Sequence, residues 1–177
     1  MKDLNLPNAL TIFRILALPF CAYALFKNGG SDDSWRIIAF TLFFIVGLSD
    51  ILDGKIARSR NQITEFGKLL DPIADKAMLA TASITASLLG MLSWWVTAIF
   101  LIREIAVTIL RFAVIKNGVI PASKGAKLKT FFQNFSVGFY ILPLPSYLNL
   151  PRDLFTAVAI YLTITTGVDY FRKVLRK

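Results

Sequence analysis

The sequence of 177 residues has no histidine and one cysteine, Cys21. The missing histidine excludes imidazole acid–base chemistry, Ser-His-Asp triads and histidine metal ligands. A lone cysteine excludes an internal disulfide framework and any cysteine-based zinc site. Charge is scarce too: 18% of residues carry it, against roughly a quarter in soluble domains. The polar and Pro/Gly bias of a disordered chain is missing. Catalysis, if present, must use carboxylates, Lys, Arg, Tyr or hydroxyls. What the chain does have is hydrophobic residues, at 55%, and a mean hydropathy of +0.60. With 20 Lys and Arg against 11 acids, the formal net charge is +9. An anionic membrane face, phosphates or nucleic acid are the natural partners of such a charge.

The length suits one domain over residues 1–177. The apolar runs predict an all-α membrane protein with six transmembrane helices. They fall at about 8–27, 35–58, 65–90, 92–116, 128–148 and 154–172, each long enough for roughly 30 Å of hydrocarbon. No alternating pattern supports a barrel. Ala22-Tyr23-Ala24 mimics a signal-peptidase site, but Asp3 and a mid-segment Arg14 argue against cleavage. Lys and Arg cluster around the second and fourth connections and the tail, which predicts both termini on the cytoplasmic side. Trp94 and Trp95 then lie at the outer interface. Pro143 and Pro145 should end or bend the fifth span. Six apolar spans also rule out a soluble nucleic-acid binder.

The acids are oddly placed. Asp50, Asp53, Asp71 and Asp75 fall in or near the expected cytoplasmic ends of spans two and three, where an ionisable group signals function. Asp50, Asp53, Gly54 and Ala57 are spaced i, i+3, i+4, i+7; Gly67, Asp71 and Asp75 are spaced i, i+4, i+8. Each set lies on one helix face, and a short connection makes the two helices antiparallel neighbours. Two carboxylates about 4 Å apart repel by about 4 kcal/mol at an effective dielectric near 20. Four together need protons or cations. All-oxygen ligands suit two Mg²⁺ or Mn²⁺ ions, and paired metals can hold a phosphoryl group and activate an attacking oxygen. Arg58, one turn beyond Gly54, can pair with phosphate oxygens. The structural alternative is a salt-bridged cluster of these acids with Lys55, Arg58, Lys68 and Lys76. A cation or proton transporter would use the same carboxylates, but gives Gly54, Ala57 and Gly67 no role.

The string from Asp50, DILDGKIARSRNQITEFGKLLDPIAD, resembles the CDP-alcohol phosphatidyltransferases through their motif D-x2-D-G-x2-A-R-x8-G-x3-D-x3-D. All eight fixed positions are present, and the six-span layout extends the resemblance over nearly the whole chain. The resemblance implies an integral membrane enzyme that displaces CMP from a CDP-linked lipid with an alcohol. It implies that Asp50, Asp53, Asp71 and Asp75 hold two divalent metals, with Asp75 also the general base. Gly54, Ala57, Arg58 and Gly67 would line the nucleotide and diphosphate site, joined by Asn8, Thr11 and Arg14 from span one. Interfacial snorkelling and helix packing are the alternative for those last residues. The same family suggests a homodimer in the bacterial inner membrane, working near its cytoplasmic face.

The acceptor is read from span four. In FLIREIAVTILRF, Arg103 and Arg111 are spaced i, i+8 and lie about 12 Å apart along the axis. ASKGAKLKTFFQ adds Lys127 and Lys129. A buried arginine needs an anionic partner: internally Glu104 or Asp169, externally an acceptor that already carries phosphate. NLPNALTIFRI, REIAVTILR, KGAKLKT and GVDYF resemble the branch of the family that joins CDP-diacylglycerol to glycerol 3-phosphate, with Arg103, Arg111, Lys127 and Lys129 as the acceptor-phosphate set. Inositol phosphate, serine or phosphatidylglycerol are the alternative acceptors.

Overall fold

The computed structural model describes residues 6–59, 65–114 and 124–175. At 6–7, 50–59, 65–66, 68–69, 112–114, 124 and 126 it describes the backbone alone. Six α-helices make up the described chain: α1 (Leu6–Phe26), α2 (Asp33–Ser59), α3 (Glu65–Leu88), α4 (Trp94–Val114), α5 (Lys124–Ile141) and α6 (Asn149–Leu175). No strand occurs among the described residues.

Most helix ends follow from local chemistry. A short 3₁₀ turn at Lys27–Gly30 joins α1 to α2. Asp32 caps α2, its Oδ1 accepting from the backbone N–H of Ser34 at 2.9 Å and of Trp35 at 3.2 Å. At the end of α3, Gly90 has φ +71°. Its N–H reaches Ser87 O at 3.0 Å and the Met91 N–H reaches Ala86 O at 2.9 Å, the paired bonds of a Schellman stop. Gly30 has φ +74°, and a Cβ there would stand 2.8 Å from Met91 Cε. The α1–α2 and α3–α4 turns therefore pack on one another at the same end of the bundle.

Pro19 lies inside α1 and Pro72 inside α3. The fifth helix ends at Ile141, ahead of Pro143 and Pro145, and α6 begins at Asn149; both lie earlier than the expected spans. Pro151 fits the first turn of α6, where its missing N–H has no intrahelical role. Arg36 of α2 supplies donors to the end of α5. Its Nε donates to Ile141 O at 2.9 Å, and its Nη2 to Tyr140 O at 3.2 Å and Leu142 O at 2.9 Å.

Among the described residues α1 packs more extensively on α2 and on α3 than those two pack on each other. Direct α2–α3 pairing, expected from their short connection, is thus supplemented by α1 as a third wall. On the other side α6 packs on α4 and α5, while α3 bridges to both α4 and α5. Leu18, Leu25, Phe43, Phe100, Val137 and Ile141 are among the core side chains. The interior is polar for a helical core: Ser83, Thr97, Gln133, Ser136 and Thr163 are buried. The surface is correspondingly apolar. Ile102, Ile105 and Ile109 form an exposed stripe on α4, and Phe13, Leu16 and Phe20 do so on α1. Small and hydroxylated residues inside with large apolar ones outside is the arrangement of helices packed in lipid. Two segments, Asn8–Gly30 and Ser146–Leu175, are long and apolar enough to cross a membrane by length and composition.

Candidate active site

The acids of α3 meet the polar residues of α1. Thr11 Oγ1 donates to Asp71 Oδ1 at 2.9 Å. Arg14 Nη1 donates to Asp75 Oδ1 at 2.9 Å. The donors are three residues apart and the acceptors four, so each pair spans one helical turn and the two helices run in parallel register here. Asn8, Thr11 and Arg14 are all buried, Arg14 completely. They are therefore not snorkelling at an interface. The carboxylate of Asp75 remains accessible, its side chain being 47% exposed. Gly67 is buried one turn before Asp71.

Of Asp50, Asp53, Gly54, Ala57 and Arg58 the structure describes only backbone. That backbone is helical, since α2 runs to Ser59, so the i, i+3 interval of Asp50 and Asp53 is a helical interval. Among the described residues no three potential metal ligands gather; the side chains of Asp50 and Asp53 lie outside that description. What is described fits a divalent ion. Asp71 and Asp75 lie one turn apart, each with one oxygen anchored by α1, and such carboxylates suit a hard cation such as Mg²⁺ or Mn²⁺. Hydrogen bonds that orient ligating carboxylates are the usual supporting structure of a metal site.

A second polar cluster lies where α4, α5 and α6 meet. Glu104 Oε1 accepts from Arg103 Nη1 at 3.0 Å and from Lys129 Nζ. Arg103 Nη2 also donates to Thr166 Oγ1 of α6 at 3.2 Å. Gly167 lets α6 come close, since a Cβ there would stand 3.3 Å from Arg103 Cγ. One turn past Lys129, Gln133 Nε2 donates to Thr163 Oγ1 at 3.0 Å. Of the two internal partners expected for Arg103, Glu104 is the one found; Asp169 is exposed. Lys76, partly buried, lies within electrostatic reach of Asp75, Glu104, Arg103 and Arg111.

The structure thus joins Arg103 and Lys129 through Glu104. Arg111 and Lys127 are exposed. Two residues along a helix is about 200°, so Lys127 and Lys129 leave α5 in nearly opposite directions. Lys127 is not brought to the cluster. Sequence reasoning cast Lys76 and Glu104 only as salt-bridge partners. Their positions directly after Asp75 and Arg103 were the available signal.

Residues 4–168 match the family model described as CDP-alcohol phosphatidyltransferase. The chain belongs to that family. It is similar to a Mycobacterium tuberculosis protein named "Probable phosphatidylglycerophosphate synthase", with 46% identity covering 97% of this chain and 82% of that one. It is also similar to proteins named "CDP-diacylglycerol--glycerol-3-phosphate 3-phosphatidyltransferase". The Bacillus subtilis protein of that name is 35% identical, with 96% of this chain and 94% of that one covered. The Rickettsia felis protein is 35% identical, with 96% and 95% covered.

Proposed function

We propose that this chain transfers the phosphatidyl group of CDP-diacylglycerol to the primary hydroxyl of glycerol 3-phosphate, giving phosphatidylglycerophosphate and CMP. Relatives bearing that activity's name cover nearly the whole chain. The observation that carries the reading is the pair of α3 carboxylates held by Thr11 and Arg14.

The family is in general divalent-metal dependent. In this reading Asp50, Asp53, Asp71 and Asp75 hold two Mg²⁺ or Mn²⁺ ions. When bound, the ions supply charge neutralisation for the diphosphate and make the acceptor hydroxyl more acidic. Thr11 and Arg14 fix the carboxylate orientations. Gly54, Ala57 and Gly67 leave room for the nucleotide, and Arg58 pairs with phosphate oxygens. Arg103, Arg111 and Lys129 hold the phosphate of the acceptor, with Lys76 between the two sites. The acceptor oxygen attacks the lipid-proximal phosphorus in line. Its proton passes to Asp75, the bond from that phosphorus to the CMP oxygen breaks, and CMP leaves as the free nucleotide.

The apolar surface and the family mark a membrane protein. The finer topology belongs to the proposal: six spans, both termini and the site on the cytoplasmic side of a bacterial inner membrane, and a homodimer as the assembly. The test is CMP release from CDP-diacylglycerol in micelles, with Mg²⁺ or Mn²⁺, across glycerol 3-phosphate, inositol phosphate, serine and phosphatidylglycerol. Release with glycerol 3-phosphate alone is the expected result. Equal release with an acceptor lacking a phosphate would overturn the assignment.

A further inference from the structure

Glu104 is the acid that the described acceptor-side cations share. Its Oε1 takes bonds from Arg103 and Lys129, although these come from different helices. All three side chains are largely buried: Lys129 is 4% exposed, Arg103 14% and Glu104 15%. Arg103 is fixed from a second side by Thr166 and from a third by Gly167. Its Nε is buried with no hydrogen-bond partner among the described residues. Lys129 has no such second hold among the described residues. Lys76 and Arg111 add two more positive charges nearby.

A buried cation needs a counter-ion. Among the described residues Glu104 is the carboxylate that serves Arg103 and Lys129. An arriving phosphate needs the same N–H donors, so the two anions compete for them. The competition is unequal for the two cations. Among the described residues Arg103 keeps Thr166 and has an unused Nε, whereas Lys129 has Glu104 alone.

We propose that Glu104 is the internal counter-ion of the acceptor pocket, holding Lys129 while the pocket is empty and yielding it to an incoming phosphate dianion. The inference rests on the acceptor-phosphate reading given above and adds a selection step to it. The Glu104 carboxylate is tethered, so a singly charged anion displaces it poorly. A phosphomonoester carries two charges that several cations can share. Glu104 therefore sets a charge threshold that favours phosphomonoesters over phosphodiesters. It acts through Lys129 and Arg103 and is a positioning residue.

The test compares wild type with Glu104→Gln, full chain in micelles, using methyl phosphate as the dianion and dimethyl phosphate as the monoanion. The rise in melting temperature with each ligand gives its affinity without turnover. Wild type should prefer methyl phosphate by about tenfold or more, and Glu104→Gln should cut that preference to about threefold or less. In turnover the variant should keep the KM for CDP-diacylglycerol, lose kcat, and show no increase in KM for glycerol 3-phosphate. An unchanged preference, or a joint rise in both KM values, would overturn the inference. Should Glu104→Gln fail to fold, Glu104→Gln/Lys129→Met removes both members of the pair. Recovery of folded protein supports the counter-ion role; a double variant as unstable as the single one refutes it. If wild type turns over only with an acceptor lacking phosphate, the function reading fails, while the melting shifts still decide whether Glu104 competes with anions.

Discussion

Arg14 of α1, with no solvent exposure, donates to the half-exposed carboxylate of Asp75 on α3 at 2.9 Å, across 61 positions of sequence. The pair has a dry end and a wet end. The dry end encloses the guanidinium, and the wet end leaves the carboxylate accessible.

Replacing Arg14 with Met should therefore harm both stability and turnover. A hydrogen bond to a charged group contributes about 1.5–3 kcal/mol, and the loss should be visible as a lower melting temperature. CMP release should fall at least about tenfold, with Arg14→Lys intermediate because it keeps the charge but loses the planar fork. Wild-type turnover in Arg14→Met would show that Asp75 needs no such support.

Thr11 anchors Asp71 through one hydroxyl. Thr11→Val keeps the shape and deletes that donor. Loss of a bond that orients a metal ligand typically costs about 10–100-fold in affinity, so the Mn²⁺ concentration for half-maximal CMP release should rise by at least about tenfold. Thr11→Ser, which retains the hydroxyl, should stay close to wild type. Equal behaviour of the two variants would separate Asp71 from metal binding.

Asp75→Asn removes the proton acceptor of the proposed mechanism and keeps the volume. CMP release should vanish while binding of CDP-diacylglycerol, followed by a fluorescent analogue, partly survives. Undiminished release would refute the role of Asp75 as base.

Arg111 is exposed, in contrast to Arg103. Arg111→Ala should thus leave stability within about 0.5 kcal/mol. The KM for glycerol 3-phosphate should rise about tenfold at low salt, and the gap to wild type should narrow as salt screens the charge. A matching rise in the KM for CDP-diacylglycerol would remove Arg111 from the acceptor side.

Gly167 lies against the stem of Arg103. A methyl group at 3.3 Å from Cγ is tight but the side chain is flexible, so Gly167→Ala should cost about 1 kcal/mol or less, whereas Gly167→Leu overpacks the contact by about 1–3 kcal/mol. Melting temperatures of the two variants decide it.

The number of helices and most of their ends were legible, because apolar runs about 20 residues long dominate this sequence. The end of α5 was misplaced, and its partner is long-range rather than local. Arg36 satisfies the terminal carbonyls of α5 from another helix, which periodicity within α5 does not reveal. At the site, the spacing of Thr11 and Arg14 indicated a shared face. Their pairing with Asp71 and Asp75 depends on the α1–α3 register, and those helices are not consecutive. Arg103 with Glu104 was legible as neighbours in sequence. Lys129 joining them was not, because it arrives from another helix, α5, 25 positions away in the sequence.

The Arg36 bonds also bear on how the helices can separate. They tie α2 to α5, and so the α1–α2–α3 trio to the α4–α5–α6 trio. The tie lies at the end of the bundle marked by the α1–α2 and α3–α4 turns. Asp75 is 13 residues short of the α3 stop at that end, roughly 20 Å along the axis. Arg36 is thus a rivet between the trios, set well away from the level at which the carboxylates lie.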